Sequence, residues 1–218
     1  MIKIEKTMSY GWEAALRGMR NPMNSWDKAD SVFYVRCDDC EGDGCPLSEP
    51  SIGDNDHELM MKLAKSGTDH AKYRRMITVT CDITAPLYWW KEFDTYKVGT
   101  VANSCSTMHK IHSKDFTLDD FSHEHMLDEW KALLEHSIVS LLNMAREAYI
   151  ATKDKTYWWQ MIQLLPTSYN QMRTIQLNYE VLRNMYHSRK NHKLDEWRTF
   201  CEWIESLPYS EIITDTRS

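Results

Sequence analysis

Strict alternation of apolar and polar residues predicts one strand in the N-terminal half of the chain. Over residues 76–83, apolar side chains recur at every second position from Ile77 to Ile83, so they are expected on one buried face. Cys81 belongs to this set and is interpreted as a small core residue. Two further candidate strands lie at residues 2–4 and 31–36.

Apolar residues spaced three and four apart predict helices in most of the remaining chain. Asn21-Pro22 ends the first helix, Gly67 follows the second, and Ser122 is the expected N-cap of the longest. The predicted helices span residues 12–19, 56–65, 86–93, 122–149, 157–164, 169–187 and 194–206, with a loop at 98–108. These elements predict an α+β fold and a single domain over residues 1–218, with a cysteine-rich insertion at about 36–53.

Composition narrows the possible functions. The 218 residues are 42% hydrophobic, which suffices for one sizeable core, and no run of eighteen apolar residues or charged-then-apolar leader is present. We therefore expect a cytoplasmic protein with no membrane segment. A net charge of -6 argues against binding a nucleic-acid polymer, which requires clustered Lys and Arg. Nine Trp and thirteen Met indicate an aromatic interior or large subunit interfaces.

Three of the six cysteines lie close together in the insertion. Cys37, Cys40 and Cys45 form a C-x2-C-x4-C pattern among acidic residues. A structural zinc site needs four ligands, and the fourth would have to be His57 or a residue of another subunit. The alternative interpretation is a flexible insertion with reduced thiols, so these cysteines are only weak metal candidates.

Residues 70–108 place several features in a fixed order: a histidine (His70), the alternating strand, an Ala-Pro pair, an aromatic helix and a loop of small residues. In order and spacing, without a gap, this stretch resembles the core segment of the flavin-dependent thymidylate synthases (ThyX-like proteins). That family has an Arg-His-Arg triplet after the helix and a serine eight residues beyond it. Here those positions hold Thr95-Tyr96-Lys97 and Cys105.

The C-terminal half repeats the resemblance. Leu165-Pro166 is followed by Asn178, Asn184 and Arg189 at spacings similar to the family's Leu-Pro turn and subsequent helix, where asparagines meet flavin and an arginine meets the pyrimidine. Asn178 and Arg189 are eleven residues apart, which is three helical turns, so a continuous helix would put them on one face with Leu182.

The resemblance implies a curved central sheet with a long helical C-terminal half, assembled as a homotetramer with its sites between subunits. It also implies a flavin-associated enzyme that methylates C5 of a pyrimidine nucleotide such as dUMP, using FAD, a folate and NADPH. Arg189 would polarise the pyrimidine and His70 would position flavin or folate. The implied flavin contacts are Tyr96, Lys97, Asn178 and Asn184.

The departures from the family pattern weaken its phosphate site. Only Lys97 keeps a positive charge in the triplet, and charge-assisted bonds from the missing arginines would each contribute about 1.5–3 kcal/mol. Small donors take their place and, with Lys97 and Arg189, are expected to form an anion site: Asn103, Ser104, Cys105 and Ser106. The alternative is a polar loop at a subunit interface.

Two further hypotheses follow from these departures. Cys105 could add to C6 of a pyrimidine as a nucleophile if Lys97 or Arg189 stabilised its thiolate. The rival function, from a different class, is a non-catalytic protein that binds a nucleotide in order to sense or sequester it. A purely structural remnant is a third possibility.

Overall fold

Two strands that are distant in sequence pair along their whole length at the centre of the molecule. The computed structural model describes residues 2–33 and 50–215. Strands β1 (Lys3–Tyr10), β2 (Thr78–Pro86), β3 (Val101–Ser104) and β4 (Asn170–Asn178) form an open sheet in the order β1-β2-β4-β3. All neighbouring strands are antiparallel. The β2–β4 pairing runs from Thr78 opposite Asn178 to Pro86 opposite Asn170.

The helices bury two separate apolar clusters. The main cluster joins the inner face of β2 and β4 to α1, α2, α3, α7, α8 and α9, whereas the smaller one lies between α5, α6 and residues 111–121. The bounds are α1 Trp12–Arg20, α2 Asp54–Lys65, α3 Leu87–Phe93, α4 Asp128–Leu133, α5 Ser140–Thr152, α6 Lys155–Leu164, α7 Tyr179–Arg189, α8 Asp195–Glu205 and α9 Glu211–Thr214. Short 3-10 turns span Asn21–Met23, Trp26–Lys28, Lys72–Arg75 and Leu118–Asp120.

The inner face of β2 confirms the alternation in the sequence. Val79, Cys81 and Ile83 are buried, and Ile175 and Leu177 of β4 extend the same apolar face. Burial raises the pKa of the Cys81 thiol to about 12, because the charged thiolate would lose its hydration. Cys81 is therefore a packing residue and not a nucleophile.

The helix predicted for residues 169–187 is wrong in its first half. Residues 170–178 form β4, in which Gln171, Ile175 and Leu177 are buried while Thr174 and Gln176 are exposed. This period of two fits a strand, and pairing with both β2 and β3 supplies backbone hydrogen bonds from each side. Only the second part of the predicted helix is therefore present, as α7. Asn178 is its N-cap and Arg189 is its last residue.

Two other segments also differ from their predictions. The loop predicted for residues 98–108 contains strand β3. The long helix predicted from Ser122 begins only at Asp128, and a π-helical segment, Leu134–Val139, separates α4 from α5. Ser122 does not cap it, because its backbone N–H bonds to the Ser168 carbonyl at 2.8 Å and its hydroxyl to Asn170 at 2.9 Å. These bonds tie residues 121–122 to the chain before β4.

The remaining predicted elements are found close to their expected bounds, and β1 is longer than the predicted residues 2–4. Within the candidate strand at 31–36, Val32 makes an isolated bridge to Ser51, and residues 34–36 lie outside the described residues. Cys37, Cys40 and Cys45 also lie outside them. Across 2–33 and 50–215, no group of three metal-ligating side chains occurs and no helix has the length and apolar character needed to cross a membrane.

Candidate functional site

Arg189, the last residue of α7, lies against the end of α3. Its Nε donates to the Tyr96 hydroxyl at 2.9 Å, and its Nη1 donates to Oε2 of Glu92 at 2.7 Å. The guanidinium also lies over the Trp197 ring, 4.7 Å from its centroid. Such stacking and pairing fix the orientation of a side chain that is otherwise costly to immobilise. Since Arg189 is still 20% exposed, a ligand can reach it.

Glu92 is the counter-charge of this arginine. Besides Arg189, its Oε2 accepts from the indole N–H of Trp197 at 3.1 Å, and Nε2 of His192 lies 3.5 Å away. Nδ1 of His192 accepts from the Leu194 backbone N–H at 3.2 Å, which assigns the ring proton of the neutral form to Nε2, facing Glu92. The positive charge of Arg189 is thus matched locally by a carboxylate.

The chain after α3 runs along α7. Tyr96 contacts Arg189 at the C-terminal end of α7, and Gly99 packs against its N-terminal end. Gly99 has φ of 78°, and a Cβ placed there would lie 2.9 Å from Nδ2 of Asn178 and 3.1 Å from Cγ2 of Val181. The two segments that the family resemblance matched to ligand contacts are therefore in contact with each other.

Asn178 has a structural function in this contact. Its Oδ1 accepts the Val181 backbone N–H at 3.0 Å, which satisfies one of the unpaired donors at the start of α7. Asn184, by contrast, is exposed on the surface of α7. The two asparagines expected to act together on flavin thus lie in different environments.

The far part of the predicted anion loop lies along β4. Asn103 is opposite Thr174 and Ser104 is opposite Arg173, while the Cys105 backbone N–H bonds to the Met172 carbonyl at 2.9 Å. Cys105 itself is an exposed free thiol, and the Ser106 hydroxyl accepts the His109 backbone N–H at 2.9 Å. This part of the loop is held by the sheet.

Arg173 is the cation that the strand register places beside Ser104. Its Nη1 pairs with Asp94 at 2.7 Å, its Nε donates to Oε1 of Gln171 at 3.0 Å, and its guanidinium stacks on Trp90 at 4.2 Å. The Gln171 amide in turn donates to the Cys105 carbonyl at 2.8 Å. Sequence reasoning missed this chain of contacts, because Asp94 lies 79 positions from Arg173 along the chain.

Two predicted site residues stand apart from these contacts. His70 is exposed in the turn after α2, where its backbone N–H bonds to the Gly67 carbonyl at 3.1 Å. Lys97 is exposed as well, and within the described part of the chain no ion pair involves it. The single chain therefore brings Arg189, Tyr96 and Asn178 to one strip of surface and leaves the side chain of His70 without a contact to them.

Comparison with known proteins supports the fold but not a sequence family. No family model and no curated protein matches the chain. A flavin-dependent thymidylate synthase ThyX from Helicobacter pylori, complexed with FAD and dUMP, is similar over 99% of this chain and 100% of that one, with a TM-score of 0.72 and 13% identity. A second structure of ThyX from Helicobacter pylori with FAD and dUMP has a TM-score of 0.71 and 14% identity, with 98% of each chain covered. The chain therefore has the ThyX fold, which confirms the predicted α+β class.

The capping function of Asn178 gives a stability prediction. We expect Asn178→Ala to lower the free energy of unfolding by about 1 kcal/mol, because the Val181 N–H loses its acceptor. Asn178→Asp retains a cap acceptor and should preserve most of the stability, and Asn184→Ala serves as the exposed control. Urea denaturation measures all three, and an Asn178→Ala protein as stable as the control would contradict the assignment.

Proposed function

We propose that this chain binds a pyrimidine nucleotide where α7 meets residues 95–99, on a scaffold like that of the flavin-dependent thymidylate synthases. The observation that supports this most is the contact between the two ligand-matched segments, through Arg189 with Tyr96 and Gly99 with Asn178. The similar Helicobacter pylori structures contain dUMP, and the similarity extends over the whole chain. Fold alone does not imply function, so the contact geometry is the main support.

In this proposal the base and the phosphate have different partners. Arg189 donates to the pyrimidine base and not to the phosphate. Its Nη1 is already paired with Glu92, so the pair has no net charge with which to attract an anion. The phosphate is held by Lys97 with the side chains of the loop at Asn103, Ser104, Cys105 and Ser106, because the Cys105 backbone N–H is already bonded to the Met172 carbonyl.

FAD fits the proposed flavin contacts poorly. The Tyr96 hydroxyl already accepts from Arg189, and Oδ1 of Asn178 caps α7, so these two side chains keep only their own O–H and N–H donors for a flavin, while Lys97 and Asn184 are exposed. A diphosphate is bound best by several charge-assisted donors, and Lys97 is the single cation in this set. We therefore derive no reaction step from FAD, folate or NADPH, and the catalytic roles of His70 and Cys105 depend on C5 chemistry being retained.

A non-catalytic binding protein is the second candidate, and one contact favours it. An arginine polarises a carbonyl through its net positive field, and the Glu92 carboxylate at 2.7 Å largely cancels that field. Arg189 could still donate a hydrogen bond to the base, but it would activate the base for reaction less strongly. A protein that senses or sequesters a nucleotide needs only the hydrogen bond.

Flavin content separates these two candidates. We expect the purified protein to contain little or no FAD, because the Thr95-Tyr96-Lys97 segment offers one ammonium where the family has two guanidiniums. The absorbance spectrum of the purified protein, before and after addition of FAD, is the measurement. A yellow preparation with stoichiometric FAD would contradict the expectation and favour the enzyme.

Removing the Arg189 side chain should weaken nucleotide binding. We expect Arg189→Ala to cost about 2 kcal/mol in the binding of dUMP, or roughly thirtyfold, because a charged donor is lost and Glu92 is left unpaired. Lys97→Ala should cost less, because an exposed ammonium is already well hydrated. Calorimetry measures both, with Arg198→Ala on α8 as the matched control. Unchanged affinity in Arg189→Ala would show that the proposed site is wrong.

The proposal includes assembly as a homotetramer, and α4 and α5 supply a surface for it. Leu134 and Leu142 are buried in the smaller cluster, whereas other apolar residues just before α4, on α4 and on α5 are exposed. A helix that is apolar on two sides is typical of a buried position. The exposed residues are Leu127, Trp130, Leu133, Leu141 and Met144.

Light scattering tests this assembly. We expect a mass near four times 25.8 kDa at micromolar concentration and a smaller mass for Trp130→Glu, because a charge would then be buried in the subunit contact. Trp26→Glu is the control, since Trp26 is also about half exposed but lies far from the exposed residues of α4 and α5 in sequence. A monomeric wild-type protein would contradict the proposal.

A further inference from the structure

Strand β3 is an open edge of the sheet. The Cys105 backbone N–H bonds to the Met172 carbonyl of β4, and in an antiparallel ladder the residues that bond to the neighbouring strand alternate. The backbone N–H and C=O groups of Ala102 and Ser104 therefore point away from β4. Within the described part of the chain these groups have no hydrogen-bond partner, and every residue of β3 is exposed.

The opposite edge of the sheet is protected, whereas the β3 edge is not. On β1 the register with β2 shifts between Glu5 and Met8, and Lys6 in this bulge has φ of 52° and pairs with Asp82 at 3.0 Å. Bulges and lysines are devices that prevent an edge strand from pairing with another chain. Residues 98–108 contain no charge and no proline, and β3 pairs with β4 without a shift in register. The sequence thus blocks one edge and leaves the other open to a further strand.

We propose that the β3 edge pairs with β3 of a second copy of this chain, antiparallel and about a two-fold axis at Asn103. In this register Ala102 lies opposite Ser104 of the second copy, so the groups that point away from β4 meet each other. A register displaced by one residue would place such a residue opposite one that already faces β4. The fit of the strand to itself, with no charge on either side, favours a second copy as the occupant.

This pairing rests on the proposed homotetramer and completes it. A tetramer built from isologous contacts needs two different two-fold interfaces, and the exposed apolar residues of α4 and α5 supply one of them. The β3 edge supplies the other. Because β3 is only 4 residues long, this contact buries too little surface to hold two copies together by itself and depends on the helical contact.

The pairing also divides the candidate phosphate site between two copies. Asn103 faces Asn103 of the second copy in a pair without backbone hydrogen bonds, which is the kind of pair in which side chains lie closest. Both amides lie on the face of the sheet that carries Thr174, the residue opposite Asn103 in β4. The pairing uses backbone groups of Ala102 and Ser104 and leaves the side chains proposed to hold the phosphate free. The site is therefore complete only in the assembled protein.

A disulfide trap tests the pairing. In the proposed register residue 101 faces Cys105 of the second copy in a pair without hydrogen bonds, where Cα atoms lie about 4.5 Å apart and a disulfide can form. Within one chain the same two positions are about 13 Å apart along the strand, which excludes an internal bridge. Under mild oxidation Val101→Cys should therefore give a disulfide-linked dimer through the exposed thiol of Cys105.

Val98→Cys is the matched control for this trap. Val98 is 90% exposed and Val101 is 66% exposed, so random collision would link the control at least as fast. Strand pairing should link Val101→Cys at least about tenfold faster, because paired thiols have a far higher effective concentration than the micromolar protein. Mass spectrometry should locate the bridge between positions 101 and 105, and the further change Cys105→Ser should abolish it.

Proline at the open edge gives a second measurement. Ala102→Pro removes a backbone N–H that the pairing needs and that β4 does not use, so light scattering should show a smaller mass. Ala102→Ser keeps this N–H and should leave the mass unchanged. A tetrameric mass in Ala102→Pro equal to that of the wild-type protein would overturn the pairing.

The outcomes separate this inference from the assembly on which it rests. If the wild-type protein is a monomer, the proposed homotetramer fails and the strand pairing fails with it. If the wild-type protein is a tetramer but Val101→Cys links no faster than Val98→Cys, a second copy does not cover the β3 edge and only this inference is overturned.

Discussion

The pairing of β2 with β4 is the constraint on which the rest of the structure depends. Nine residue pairs join these strands, from Thr78 with Asn178 to Pro86 with Asn170. Helix α3 follows β2 directly at one end of this pairing, and α7 follows β4 directly at the other. The C-terminal ends of the two helices meet, and there Glu92 of α3 pairs with Arg189 of α7. The candidate site is thus a consequence of strand register.

This origin explains the chemistry of the site. An arginine at the end of a helix and a carboxylate on a neighbouring helix form a neutral, oriented pair, stacked on Trp197. Such a pair provides direction more than net charge, because its opposite charges largely cancel beyond the contact. The ThyX fold is consequently combined here with a candidate site in which Arg189 is suited to hydrogen bonding more than to anion binding. The Thr95-Tyr96-Lys97 segment, with a single cation, acts in the same direction.

The sequence predicted those features that depend on local pattern. Alternation located β2 and the burial of Cys81, and helical spacing located α1, α2, α3, α6 and α8 within a few residues. Strand β4 was predicted as a helix, because the apolar residues of residues 169–187 fit either period and the hydrogen bonds from β2 and β3 are not visible in the sequence.

The candidate site was predictable only in part. Tyr96, Asn178 and Arg189 could be selected because they occupy positions of a recognisable spacing, and they do lie on one strip of surface. Glu92 and Arg173 were missed, since each is defined by a partner 97 or 79 positions away along the chain. The roles of His70 and Lys97 stay predictions, because both are exposed and the single chain holds neither side chain in place.

We propose that residues 95–105 and α7 form one nucleotide-binding surface. Hydrogen–deuterium exchange with and without dUMP tests it most directly, because amide protection reports local closure without any substitution. We expect dUMP to slow exchange in peptides covering 95–105 and in those covering 179–192, over the same concentration range. Peptides from α2 and α6 should be unaffected. Protection confined to one of the two segments, or absent from both at saturating dUMP, would contradict the account.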